Sequence, residues 1–178
     1  MTASLLHPPL APLSTQGRFW ALVPCAGMGL RAVPPAATPA AASADPALPK
    51  QYHLVAGHPM VMHTLAAFAG VSRLLGTLVA VAPGDQFLDA YAHPAFFTVE
   101  CGGPTRADTV LGGLRALEER GAQPDDWVLV HDAARCLVTS AQIDTLMDTC
   151  QHDGVFCLLA IRRAETSTLS TDRTRCLR

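Results

Sequence analysis

Short, mostly apolar runs bounded by Gly, Pro or Asp recur along the chain, at Trp20–Val23, Thr77–Ala82, Phe97–Glu100, Trp127–Val130 and Val155–Ile161. Their composition predicts buried strands. Between them, apolar residues fall at helical spacing in Met60–Ala69, Phe87–Tyr91, Asp108–Arg120 and Ser140–Cys150. In the third segment, Val110, Leu111, Leu114 and Leu117 form one face, with Arg115, Glu118 and Glu119 turned outward. Thr139-Ser-Ala-Gln142 opens the fourth with a capping-box signature, and Thr105-x-x-Asp108 is a second candidate cap. Alternating strands and helices predict an α/β fold with a mostly parallel sheet covered on both faces. Ligands in such sheets collect beyond the C-terminal strand ends.

A chain of 178 residues, 49% hydrophobic and 16% charged, suits one compact soluble domain. Residues 18–161 are expected to form it. Residues 1–17 read as a disordered leader, and they lack the basic start and apolar core of a secretory signal. The Ala/Pro/Ser/Thr-rich stretch 32–48 has no periodicity and reads as a flexible loop, either a plain insertion or a lid. The net charge of −2 argues against a general nucleic-acid surface. No apolar run approaches the ~18 residues of a membrane span. Cys25, Cys101, Cys136, Cys150, Cys157 and Cys176 include no C-x-x-C pair. They are expected to be free thiols in a reducing, cytoplasmic setting.

The candidate chemistry clusters where the strands end. Leu22-Val-Pro-Cys-Ala-Gly-Met-Gly-Leu-Arg31 carries an apolar strand into a glycine-rich turn, and Pro49-Lys50-Gln51-Tyr52 follows. Gly27 and Gly29 have no Cβ to block the approach of a phosphate to backbone N–H groups. Arg31 and Lys50 would bring two cations to the same anion. The turn lacks the third glycine of a dinucleotide fingerprint and the Gly-Lys-Ser/Thr of a Walker loop. Alone, it reads equally well as a structural strand-to-helix turn. Pro83-Gly84-Asp85, Gly102-Gly103-Pro-Thr-Arg106-Ala-Asp-Thr109 and Val130-His-Asp132-Ala-Ala-Arg135 follow three further strands. Each could be a cap or turn by itself, but together they place polar clusters at successive strand ends along one sheet edge.

In combination and in this order, Pro24-x-Ala26-Gly-x-Gly-x-Arg31, Pro49-Lys-Gln-Tyr52, Gly102-Gly-x-x-Arg-x-Asp-Thr109 and His131-Asp-Ala-Ala-Arg135 resemble the 2-C-methyl-D-erythritol 4-phosphate cytidylyltransferases of the non-mevalonate isoprenoid pathway. The resemblance covers roughly residues 18–160, and ribitol-5-phosphate cytidylyltransferases share much of the pattern. It implies a Rossmann-like nucleotidyltransferase joining a sugar-alcohol phosphate to CTP with release of pyrophosphate. By matching positions it implies Arg31 and Lys50 as stabilisers of the transition state, and Pro24, Ala26, Gly27, Gly29, Gly102, Gly103, Arg106 and Thr109 around the nucleotide. Thr109 would meet the base, and Asp132 and Arg135 would face the acceptor phosphate. Mg²⁺ would ride on the triphosphate, and the family is homodimeric. His131, at a buried strand end, is expected to satisfy a backbone group.

The chain departs from the family pattern at three places, one of them the long Ala/Pro insert before Lys50. Pro104 stands where the family uses a backbone N–H toward the base, and proline has none. The family's protruding dimer arm and closing elements have no clear counterpart after Ile161. Arg173 is one candidate for an acceptor-binding arginine, while residues 162–178 also read as a divergent polar tail. The chain is therefore expected to be marginally stable, to form no arm-exchanged dimer and to turn over poorly. The alternative readings are a ribitol-5-phosphate or other polyol-phosphate cytidylyltransferase and a non-catalytic remnant that binds CTP.

Overall fold

The computed structural model describes residues 17–27 and 48–150. Strands β1 (Phe19–Pro24), β4 (Leu74–Ala80), β5 (Phe96–Val99) and β6 (Trp127–Val130) form a parallel sheet in the order β5-β4-β1-β6. Between β1 and β4 the chain makes a 3-10 turn (Lys50–Tyr52), then a hairpin of β2 (Leu54–Val55) and β3 (His58–Pro59), then helix α1 (Met60–Ala69). Helix α2 (Arg106–Glu119) links β5 to β6, and α3 (Ser140–Cys150) follows β6.

Both faces of β1 are buried, which is why its sequence shows no polar alternation. Phe19 and Ala21 pack with Phe68, Val71, Ile143 and Met147 beneath α1 and α3. Val23 and Cys25 continue that face against Val61, Leu65 and Tyr52. Trp20 and Leu22 point the other way, onto Ala116 and Leu117 of α2. Full burial of an aliphatic side chain such as Leu22 contributes about 1.5–3 kcal/mol.

Helices α1 and α3 occupy the predicted residues, and the Thr139–Gln142 capping box is formed in both directions. Four differences have physical causes. The strand expected from Thr77 begins at Leu74, because its ladder with Phe19 runs past Gly76, which lies under the Trp20 ring. Phe87–Tyr91 is a 3-10 turn; five residues are too few for a stable α-helix, and Asp85 Oδ1 accepts from Phe87 N at 3.0 Å to tighten its start.

On α2, Leu111 is exposed, and the buried stripe is Thr109, Gly113, Ala116 and Leu117. Small residues lie there because the helix approaches the sheet closely: a Cβ on Gly113 would fall on the Leu22 side chain. The β2–β3 hairpin was not foreseen. Its turn places Ala56 at φ 48° and Gly57 at φ 84°, the paired left-handed backbone that a two-residue hairpin requires. The expected strand Val155–Ile161 lies outside the described residues.

Strands β4 and β5 add to one side of β1 and β6 to the other, so the strand order reverses beside β1. The crevice outside the C-terminal ends of β1 and β6 is where such a sheet receives ligands. An open recess of about 470 Å³ flanks β5 near Leu88, His93 and Phe97, away from this edge. Among the described residues, no helix is long and apolar enough to cross a membrane.

Candidate active site

The end of β1 is fastened from below. Cys25 N donates to Ala80 O at 2.8 Å, holding the start of the glycine-rich turn against β4. Gln51 is buried, and its Nε2 donates to Cys25 O at 2.8 Å and to Gly27 O at 3.0 Å. Tyr52 lies beneath, its hydroxyl donating to Asp85 Oδ2 at 2.6 Å and its ring stacked on Phe87 at 3.9 Å between centroids. The Cys25 thiol donates to Tyr52 Oη at 3.7 Å.

The segment Pro49–Tyr52 therefore divides by function. Gln51 and Tyr52 face inward and tie the 3-10 turn to β1, leaving Lys50 exposed at its start. Among the described residues, a Cβ on Gly27 would meet no neighbour within 4 Å. Pro24 and Ala26 are half-buried at its base. Gly29 and Arg31 lie outside the described residues, as does Arg173.

Burial pushes the Cys25 thiol up to about 12, with the Asp85 charge adding to it and the Tyr52 hydrogen bond only partly offsetting it. Burial likewise raises Tyr52, reinforced by Cys25 and Asp85. Both groups stay protonated at neutral pH, so they serve as packing and hydrogen-bonding groups and not as nucleophile or base.

The second turn follows β5 and leans on the first. Gly102 N donates to Val81 O at 2.9 Å, and a Cβ on Gly102 would overlap the Ala26 side chain. Glycine here lets the two turns touch. Thr109 is buried; its Oγ1 accepts from Gly103 N at 3.1 Å and donates to Thr105 O at 3.0 Å. Thr105 and Asp108 complete a capping box at the start of α2.

Every backbone N–H from Cys101 to Thr105 thus has an internal acceptor, or, at Pro104, does not exist. What the turn can offer a ligand is carbonyl oxygen.

The third cluster follows β6. His131 N donates to Leu22 O at 3.0 Å, and His131 Nε2 pairs with Arg135 O at 3.1 Å, the structural role expected of it. Buried Ala133 and a hydrogen bond from Thr64 Oγ1 on α1 to Ala133 O, at 2.9 Å, hold the loop down. Asp132 is then flanked by two arginines. Its Oδ1 accepts from Arg106 Nε and Nη2, both at 2.8 Å, and its Oδ2 accepts from Arg135 Nε at 2.7 Å.

Partial burial by itself raises the Asp132 pKa, but the hydrogen bonds and charges of Arg135 and Arg106 outweigh it and hold the carboxyl below its usual range. The cluster carries one net positive charge, and both guanidinium groups are largely exposed.

The structure thus gathers Pro24, Ala26, Gly27, Lys50, Gly102, Gly103, Arg106, Thr109, Asp132 and Arg135 along the C-terminal edge of one sheet. Gln51, Tyr52 and Asp85 lay in motifs quoted from the sequence but were given no role there, and Thr64 escaped the sequence reading altogether. Thr64 carried a usable signal, since it interrupts the apolar face formed by Val61, Leu65 and Phe68.

The carboxylates nearest the cluster are already engaged: Asp132 by two arginines, Asp85 by Tyr52 and Phe87, Asp108 by the cap. Among the described residues, no group of three His, Cys, Asp or Glu could hold a metal ion.

Comparison with known proteins gives a consistent result. The family model described as "IspD: 2-C-methyl-D-erythritol 4-phosphate cytidylyltransferase" matches residues 19–171. The bifunctional enzyme IspD/IspF of Albidiferax ferrireducens is 51% identical over 162 residues, covering 89% of this chain and 36% of that protein. The 2-C-methyl-D-erythritol 4-phosphate cytidylyltransferase of Paraburkholderia phymatum is 43% identical over 151 residues, covering 84% of this chain and 59% of its own. A crystal structure of 4-diphosphocytidyl-2C-methyl-D-erythritol synthase superposes with a TM-score of 0.66 at 30% identity, covering 87% of this chain and 64% of that one. The chain therefore spans 36% to 64% of the length of these three proteins.

Proposed function

The chain belongs to the 2-C-methyl-D-erythritol 4-phosphate cytidylyltransferase family, and from that premise we propose that it transfers CMP from CTP to 2-C-methyl-D-erythritol 4-phosphate. The products are pyrophosphate and 4-diphosphocytidyl-2-C-methyl-D-erythritol. One observation carries the reading. Arg106, from the turn matched to the nucleotide, bonds at 2.8 Å to Asp132, from the loop matched to the acceptor. The two half-sites therefore meet within one side chain's reach, as transfer between two bound phosphates requires.

In the reaction an acceptor phosphate oxygen attacks the α-phosphorus of CTP. The P–O bond to the β-phosphate breaks, and the electron pair leaves with pyrophosphate. The nucleophile is already an anion, so no general base is needed. That agrees with a site whose buried Cys25 and Tyr52 remain protonated. What the site must supply is alignment and positive charge where the equatorial oxygens gain negative charge.

Lys50 and Arg31 are proposed for that task, with Pro24, Ala26, Gly27 and Gly29 beside the triphosphate. Gly102, Gly103 and Thr109 shape the base pocket, and Asp132, Arg135 and Arg173 face the acceptor. Mg²⁺, carried on the triphosphate, would neutralise phosphate charge and orient the leaving group. The free thiols of Cys25, Cys101, Cys136 and Cys150 support a reducing, cytoplasmic setting.

The test is to incubate the chain with CTP, Mg²⁺ and 2-C-methyl-D-erythritol 4-phosphate and to measure pyrophosphate. Release that depends on the acceptor is expected. CTP binding without release would reduce the chain to a nucleotide-binding module, and absence of CTP binding would overturn the reading.

A further inference from the structure

Among the described residues, the buried Gln51 side chain spans the 3-10 turn and the glycine-rich turn with a fork of hydrogen bonds, and the mechanism above does not use it. Its carboxamide nitrogen has two protons, and two carbonyls of the turn are within reach: Cys25 O at 2.8 Å and Gly27 O at 3.0 Å. Gln51 is 7% exposed and Cys25 1%, so water does not compete for the bond to Cys25 O, while the bond to Gly27 O is part-buried. In a trans peptide the C=O and the following N–H point in opposite directions. Fixing Cys25 O toward Gln51 therefore aims the N–H of Ala26 away from it. Gln51 also follows Lys50 in the chain, and Tyr52 behind it is held by Asp85 and Phe87. Any tilt of the glycine-rich turn is thus coupled to the base of the Lys50 side chain.

We infer that Gln51 is a positioning residue. Its carboxamide sets the backbone of the glycine-rich turn, and with it the place of Lys50, for the phosphates of a nucleoside triphosphate. The inference rests on the nucleotide reading given above. It adds that the turn's affinity for the triphosphate depends on a donor that never touches the ligand.

Removing the donor leaves the buried Cys25 O without its partner and frees Gly27 O to turn toward solvent, and the turn relaxes to recover the lost bond. Gln51→Met keeps the length and loses the donor. Gln51→Glu keeps the shape but sets an acceptor against two carbonyls. Both variants should bind Mg·CTP at least tenfold more weakly than the parent by calorimetry, measured well below the melting temperature of each. Amide hydrogen exchange without nucleotide should accelerate at Cys25, whose N–H donates to Ala80 O at the base of the turn, while Leu22 and Val23 in β1 keep the parent's protection.

If the parent binds CTP and both variants bind it equally well, Gln51 is only a packing residue, even if they melt lower, and the nucleotide reading stands. Unchanged exchange at Cys25 would overturn the inference in the same way. If the parent itself binds no CTP, the nucleotide reading falls and this inference falls with it.

Discussion

Asp132 shows how a single carboxylate organises the polar edge. It neutralises half of the charge that Arg106 and Arg135 bring together, and it orients both guanidinium groups by their Nε atoms. Its folded-state pKa is lowered, so its contribution to stability is present above the unfolded value near ~3.9 and is lost as pH falls through the lowered one. Asp132 is about one-third exposed, and solvent screening limits that contribution to about 1 kcal/mol or less. Asp132→Asn should flatten the acid limb of the pH–stability curve, read by denaturant melts from neutral pH downward.

Lys50 makes the opposite case, an exposed cation whose ammonium makes no hydrogen bond or ion pair among the described residues. Lys50→Ala should leave the melting temperature nearly unchanged and lower kcat on the order of 10²-fold or more, with a smaller loss of CTP affinity. A loss confined to affinity would make Lys50 a ground-state clamp.

At the scale of elements, the Gly102–Thr109 turn and the start of α2 behave as one unit. The Thr105–Asp108 capping box fixes the helix end, and Thr109, one residue further on, closes the turn that precedes it. Thr109→Val keeps the shape and removes both bonds of a buried hydroxyl, a loss of about 1–3 kcal/mol. Thr109→Ser should recover most of it, as measured by chemical denaturation.

The same turn sets an expectation for base choice. Its N–H groups are spent internally, so a base that donates an exocyclic amine to its carbonyls is favoured over one that needs a donor there. CTP should bind at least tenfold better than UTP, about 1.4 kcal/mol, by calorimetry. Equal affinities would show that the turn does not read the base.

For the molecule as a whole, Cys25 is a natural reporter. It lies at the junction of the sheet with the cluster of Tyr52, Val61 and Val81, is 1% exposed, and its thiol is held at about 12. A thiol reagent should modify half-buried Cys136 in the native protein. It should reach Cys25 only through an opening that disrupts the core, at a rate that rises with denaturant as global unfolding does. Rapid native modification of Cys25, located by peptide mass, would mean that the turn side of β1 opens independently.

Much of this architecture was legible in the chain itself. The runs at Trp20–Val23 and Trp127–Val130 are apolar on successive positions because both faces of those strands are covered. The helical segments at Met60–Ala69 and Ser140–Cys150 carry their period and, at Thr139, their cap. The motifs at the strand ends pointed to a nucleotide edge because glycines and cations at such places have few other uses in combination. These are local properties, decided by backbone sterics, side-chain period and the chemistry of each residue type.

The tertiary structure decided what each polar residue does once the edges meet. Residues 51 and 25 are far apart in the chain, as are 106 and 132, so no spacing rule could show that Gln51 serves the turn's carbonyls or that Arg106 is held by Asp132. Leu111 was misread for the same reason: the helix face that is buried depends on how closely α2 approaches Leu22, a distance set by Gly113 and the sheet together. Sequence determines which groups are available; the packing of distant elements determines which of them are left to face a ligand.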